Sequence, residues 1–275
     1  MKPKKVLNIA HRGARSLAPE NTLLAAEKAF EIGADLWELD VAMTSDGEII
    51  VIHDDTLERT SNAMLVYPDR MPWKIETFSF AELRKLDFGS WYIQTDPFKQ
   101  IKTGVVTEDA QQKFVNLPIP TLREALTFTK TNHWRVNVEI KDLSGKPGDQ
   151  EIVEKVVALI DELGMEDSVI ISSFNHSYVQ RARTANTRIV TAALVEDPDP
   201  DPVALLSRLN AQAYNPYVKT LNFDQVQQVT SAGADVFVWT VNDEATMRRL
   251  IDAGVSGIFT DFPQLLKNVL ATYQK

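Results

Sequence analysis

The residues able to do chemistry in this sequence fall into two spaced pairs and two histidines. Glu38 and Asp40 stand two apart in LWELDVAM, and Glu139 and Lys141 repeat the spacing in VEIK. Residues two apart in a strand share a face, so each pair presents its charges together. Leu36, Leu39 and Val41 in the first stretch read as buried, and buried charge is costly unless it is paired or binds a metal. Such a conflict between local pattern and chemistry marks a functional site. Glu38, Asp40 and Glu139 make an all-oxygen donor set suited to a hard cation, Ca2+ or Mg2+. His11 and His53 lie on different segments and can serve as general acid and general base. Arg12 and Lys141 add fixed positive charge, and the arginine fork matches a phosphate. Together these groups are equipment for phosphoryl chemistry.

The elements that must position them alternate. Strand patterns occur near residues 7, 38, 137, 171, 191, 213, 238 and 258, and helical patterns separate most of them. Asn21 or Thr22 can cap the first helix, which Gly33 ends. Ser79 with Glu82, and Thr121 with Glu124, form capping boxes. Strand–helix alternation implies a parallel sheet, and eight repeats predict closure into a (β/α)8 TIM barrel, whose chemistry gathers where strands end. Those ends carry His11 and Arg12, Glu38 and Asp40, Glu139 and Lys141, Phe174 and Asn175, and Trp239. Phe174 and Trp239 are expected to contact substrate. His133 precedes a strand at the opposite end and His176 begins a helix, so both read as structural.

After Asp40 the chain turns at Ser45-Asp46-Gly47 and returns through Glu48 to Ile52, an antiparallel hairpin that brings back His53. One register sets His53 opposite Glu38, on the carboxylate face. The other sets it opposite Leu39, on the wrong face. Function demands the first, or a bulge that rescues the second. Residues 54 to about 117 then break the rhythm with prolines and aromatics, among them Trp73, Phe78, Trp91 and Phe98. They read as an insertion with a small satellite core over one end of a single domain spanning 1–275. Its polar tail, Asp96 to Asn116, reads as mobile.

The chain has 275 residues, 44% of them hydrophobic and 24% charged, enough for one sizeable core. A net charge of −9 argues against nucleic acid as a partner. There is no cysteine, which excludes disulfides and thiolate metal sites. The apolar run in MKPKKVLNIAHRG is too short for a signal-peptide core, and no run approaches a membrane span, so a soluble cytoplasmic protein without stable membrane insertion is expected.

The segments AHRGARSLAPENT, ELDVAMTSDG, VIHDDTLERTSN, IPTLREAL, VEIK, SSF, WTVND and GIFTDFP resemble the glycerophosphodiester phosphodiesterase family, in that family's order and over nearly the whole chain. The resemblance implies a barrel and a divalent metal held by Glu38, Asp40 and Glu139, with His11 and His53 as acid and base. It implies Arg12 and Lys141 at the phosphate, and an insertion that shapes the substrate pocket. Glu20 falls within the family motif, where it can support the His11 loop. The activity implied is hydrolysis of a glycerophosphodiester to sn-glycerol 3-phosphate and an alcohol. The nearest alternative is a related barrel phospholipase acting on lysophospholipids or phosphoinositides, which needs an exposed apolar rim that the insertion aromatics could supply. A retaining glycosidase would also use two carboxylates on a barrel, but paired histidines beside Arg12 and Lys141 argue against it.

Overall fold

The computed structural model describes residues 5–273. In chain order the elements are β1 (Leu7–Ala10), α1 (Leu23–Ile32), β2 (Leu36–Met43), β3 (Ile49–Val51), α2 (Ala63–Val66), α3 (Phe80–Leu83), α4 (Ser90–Thr95), α5 (Glu108–Gln112) and α6 (Leu122–Thr131). Then follow β4 (Val136–Ile140), α7 (Ile152–Leu163), β5 (Val169–Ser173), α8 (His176–Ala185), β6 (Val190–Val195), α9 (Pro202–Leu209), β7 (Ala213–Pro216), α10 (Phe223–Ser231), β8 (Asp235–Val238), α11 (Glu244–Asp252), β9 (Gly257–Thr260) and α12 (Pro263–Ala271). Strands pair in the order β1-β9-β8-β7-β6-β5-β4-β2, and β1 pairs β2 in turn, closing a barrel of eight parallel strands. The eight expected strands are the barrel, and β3 adds to β2 outside the closure.

The strands are buried on both faces, as helix-wrapped parallel strands must be. All eight residues of β2 are buried. Trp37, Leu39 and Val41 join the core beneath α1, α6 and α7. Leu36 belongs instead to the barrel-interior layer with Ile9, Ile170, Ala192, Ala213, Phe237 and Phe259. Glu38 and Asp40 follow Leu36 at the same spacing, so the interior above that apolar layer is charged. Helix ends are fixed locally. The Thr22 hydroxyl accepts from Ala25 N–H at the start of α1, and Gly33 ends α1 in the left-handed region. Thr121 with Glu124 closes a capping box on α6, and Ser79 with Glu82 does so on α3.

The insertion packs in two places. Leu57, Trp73, Ile75, Phe78, Leu83 and Phe88 cover Ala42, Ile50 and Ile52 of the hairpin. Trp91, Tyr92, Val106 and Phe114 cover Ala18 and Ala25, beside α1. The tail over 96–116 differs from expectation. It carries α5, and it buries Val106 and Phe114, which are 4% and 2% exposed. Sparse apolar residues anchor an otherwise polar stretch.

Candidate active site

The strand-end face of the barrel opens with a constrained turn after β1. After β1 the chain passes His11, whose N–H donates to Thr260 O, then Arg12 and Gly13 with φ of 55° and 80°. A Cβ on Gly13 would lie 2.6 Å from the Ala25 carbonyl carbon, so glycine alone lets this loop approach α1. The turn directs Arg12 N–H to Glu38 Oε2 at 2.7 Å. Arg12 Nη1 donates to Glu20 Oε1 at 2.8 Å, and Arg12 Nε lies 3.3 Å from Asp40 Oδ2. Asn21 serves the site rather than the helix cap: its Nδ2 donates to Asp40 Oδ2 at 2.9 Å.

Parallel pairing puts Asp40 level with Glu139 and Glu38 level with Asn137. One carboxylate oxygen from each of Glu38, Asp40 and Glu139 lies within 4.8 Å of the other two. Lys141 Nζ donates to Glu139 Oε1 at 2.9 Å and lies 3.8 Å from Asp40 Oδ1. Burial, then the charges of Asp40 and Glu139, push the Glu38 carboxyl well above its ordinary value. Burial and Asp40 raise Glu139 as well, against the pull of Lys141. Burial would raise Asp40 too, but Arg12, His53 and Lys141 hold it well below the usual carboxylate range. Glu38 Oε1 is buried with no hydrogen-bond partner among the described residues. Crowded carboxylates with an orphaned oxygen fit a divalent cation, which would satisfy that atom and relieve the mutual repulsion.

His53 reaches the site by a route other than the expected one. The register Val41–Val51, Ala42–Ile50 and Met43–Ile49 continues as Ile52 N–H donates to Asp40 O at 2.9 Å. Continued one step further, it sets His53 opposite Leu39, the face turned away from the carboxylates. The ladder is regular and contains no rescuing bulge. Instead the strand stops and the chain bends over 53–55. The bend turns the imidazole into the same cavity as His11, Arg12, Glu38, Glu139 and Lys141.

Each histidine is pinned at one nitrogen. His11 Nδ1 lies 2.7 Å from Asp261 Oδ1, and His53 Nδ1 lies 2.6 Å from Asp54 Oδ1. Burial would raise both aspartates, yet the His11 contact and Arg15 lower Asp261, and the contacts with His53 and Arg59 hold Asp54 well below the usual range. Ionised carboxylates accept from Nδ1–H, which leaves Nε2 of each ring for chemistry. Burial, aided by Arg12, pushes His11 down to about 4 against the opposing pull of Asp261. Asp261 and Asp54 were missed from sequence, although one directly follows β9 and the other directly follows His53. A charge placed next to a strand end or a histidine was the available signal.

The cavity is about 100 Å³ and is also lined by Asn137, Ser172, Phe174, Leu194, Trp239, Thr240 and Phe259. Phe174 meets Trp239 edge-on at 5.4 Å, and Trp239 stacks on Tyr217 at 4.7 Å with its Nε1–H donating to Asn215 O. The expected aromatics therefore form one wall of the cavity that the charged groups also line. None of the lining residues comes from 54–117. His176 Nε2 contacts Leu194 O at 3.0 Å, and His133 is exposed before Trp134, so neither joins the site.

A (β/α)8 barrel with an acidic cluster, two aspartate-oriented histidines and two cations at one strand-end cavity defines a phosphoryl-transfer class of enzyme. The chain belongs to the glycerophosphoryl diester phosphodiesterase family, whose model matches residues 11–265. It is 34% identical to a glycerophosphodiester phosphodiesterase of Bacillus subtilis (strain 168), over 99% of this chain and 89% of that one. It is 35% identical to the enzyme of the same name from Caldanaerobacter subterraneus, over 97% of this chain and 98% of that one. Among solved structures, an Oleispira antarctica phosphodiesterase in complex with its product sn-glycerol-3-phosphate matches at a TM-score of 0.77 and 26% identity, over 96% of both chains. Among the described residues no helix is long and apolar enough to cross a membrane.

Proposed function

We propose that this enzyme hydrolyses glycerophosphodiesters to sn-glycerol 3-phosphate and an alcohol, with His11 as general base and His53 as general acid. The observation that carries the reading is the pair of imidazoles on one cavity, each held at Nδ1 by a carboxylate. Glu38, Asp40 and Glu139 would hold a divalent cation, Ca2+ or Mg2+, which supplies Lewis-acid polarisation of a phosphoryl oxygen. Arg12, fixed by Glu20, and Lys141 would face the nonbridging oxygens. His11 is neutral at pH 7, so its Nε2 is ready to take the proton of the nucleophile, either water itself or a neighbouring glycerol hydroxyl whose cyclic phosphate water then opens. His53 Nε2 gives a proton to the departing alkoxide, and its pairing with Asp54 keeps that atom directed at the leaving oxygen. Phe174 and Trp239 exclude water and seat the carbon skeleton. A cavity that sets charged groups beside an aromatic wall suits a glycerophosphodiester, in keeping with the product bound by the Oleispira enzyme.

Phosphorus NMR of a glycerophosphocholine digest tests this. The reading requires sn-glycerol 3-phosphate and choline; phosphocholine and glycerol would contradict it.

A lipid-bearing substrate has one observation in its favour. The insertion exposes Met64, Leu65, Val66 and Met71, with Leu65 83% exposed. Its aromatics do not supply that rim, since Trp73, Phe78, Phe88 and Trp91 are buried. Faster turnover of a lysophospholipid than of glycerophosphocholine in the same experiment would select this second reading.

A further inference from the structure

Glu20 is the buried centre of an ion-pair network outside the metal cluster. Its carboxylate contacts Arg12 Nη1 at 2.8 Å, Arg15 Nη2 at 2.8 Å and Arg59 Nη2 at 2.6 Å. It is 6% exposed. Burial would raise it, but the three guanidiniums hold it well below the usual carboxylate range. A lone buried carboxylate satisfies its charge with one arginine, so three converging guanidiniums call for a further role.

Each arginine leads to a different working part. Arg59 Nε donates to Asp54 Oδ2 at 2.6 Å, and Asp54 holds His53. Arg15 Nη1 lies 3.6 Å from Asp261 Oδ1, the oxygen that holds His11 Nδ1. Arg12 carries its backbone N–H to Glu38 and its guanidinium to Asp40. An unbroken series of polar contacts therefore runs His53–Asp54–Arg59–Glu20–Arg15–Asp261–His11, with alternating charges from Asp54 to Asp261. It joins the start of the insertion to the last barrel strand through the loop after β1.

We propose that Glu20 is a positioning residue that sets the two histidines relative to one another, with Arg59 and Arg15 as its two arms. The assignment rests on the reading of His11 and His53 as acid and base. It explains why the insertion, which lines none of the cavity, begins with a residue anchored in the site. Arg59 stacks over Trp91 at 5.8 Å, so packing of the insertion is transmitted to Asp54 through the same guanidinium.

The test uses the whole chain with added Mg2+ and reads the side-chain 15N resonances of its four histidines together with kinetics. Glu20→Gln is expected to move the His11 and His53 resonances and leave His133 and His176 in place. It should lower kcat about 10- to 100-fold, the range found for groups that orient active-site ligands, with little change in KM. Movement of only one of the two resonances, or of neither, overturns the proposal. The resonances need no turnover, so this outcome stands apart from the fate of the acid–base assignment. If Glu20→Gln does not fold by circular dichroism, Arg59→Met and Arg15→Met are compared singly and together. Shifts of His53 and His11 respectively, with kcat losses that fail to multiply, support coupling through Glu20. Simple multiplication of the losses, or unmoved resonances, overturns it.

Discussion

At the scale of the residue, the environment of His11 is the clearest instruction about the reaction. Burial and Arg12 favour the neutral ring, while Asp261 favours the charged one, and burial prevails. A base with a pKa near 4 is free of its proton across the neutral range, so the acidic limb of a kcat/KM profile lies well below the 6.5 of an ordinary histidine. Asp261→Asn removes a charge that raises His11 and also releases its tautomer. The acidic limb should therefore move to lower pH while kcat falls about 10- to 100-fold. Arg15→Met removes a charge that lowers His11, and its limb should move to higher pH. A limb that shifts the same way in both variants would refute this electrostatic account. Glu38 offers a second check. Burial and like charges already raise its carboxyl, so Glu38→Gln should raise the melting temperature measured without metal, while it eliminates any rise on adding Ca2+ or Mg2+. A lower metal-free melting temperature would contradict that.

At the scale of the element, two backbone features carry His11, Arg12 and His53 to their places. Gly13→Ala puts a methyl against the backbone of α1 at a φ of +80°. The loop bearing His11 and Arg12 must shift, so turnover should collapse while far-UV circular dichroism retains barrel content. Wild-type turnover in this variant would show the turn to be dispensable. The anchored tail predicts a stability effect instead. Phe114→Ala should cost about 3 to 5 kcal/mol by chemical denaturation, the usual cost of emptying a buried phenylalanine site. A loss under about 1 kcal/mol would restore the mobile reading. The strands, capping boxes and helix stops were legible in the sequence because each is a local signal repeated at the period of its element. Glu38, Asp40, Glu139 and Lys141 were legible because strand parity and barrel closure place them together. The path of His53 was not: the turn leaves two registers open, the one adopted sets it on the wrong face, and the bend over 53–55 corrects it. Asp261 on His11 and the link of Glu20 to Arg59 are long-range contacts between loops, which no period encodes, and Asp54, though next to His53, lies in an irregular bend. The burial of Val106 and Phe114 was hidden for a related reason, since a few anchors in a polar stretch leave no pattern.

At the scale of the whole molecule, barrel closure brings the start of the chain to its end. His11 after the first strand pairs with Asp261 after the last, 250 residues away. The acidic cluster spans β2 and β4, and the insertion enters the site through Asp54 and Arg59. Divalent metal should tie these parts together: EDTA should abolish turnover, Ca2+ or Mg2+ should restore it, and a hundredfold excess over Kd should stabilise the fold by about 2.7 kcal/mol. Full activity in metal-free protein would remove the cation from the account. The division of labour between the histidines is the central claim, and a change of leaving group tests it most directly. Turnover of glycerophosphocholine and of glycerol p-nitrophenyl phosphodiester is measured for His11→Ala and His53→Ala. p-Nitrophenolate departs without a proton. His53→Ala should therefore lose about 100- to 10,000-fold on the choline ester and far less on the nitrophenyl ester, whereas His11→Ala should lose heavily on both. Equal losses on the two substrates for His53→Ala would contradict its role as the acid.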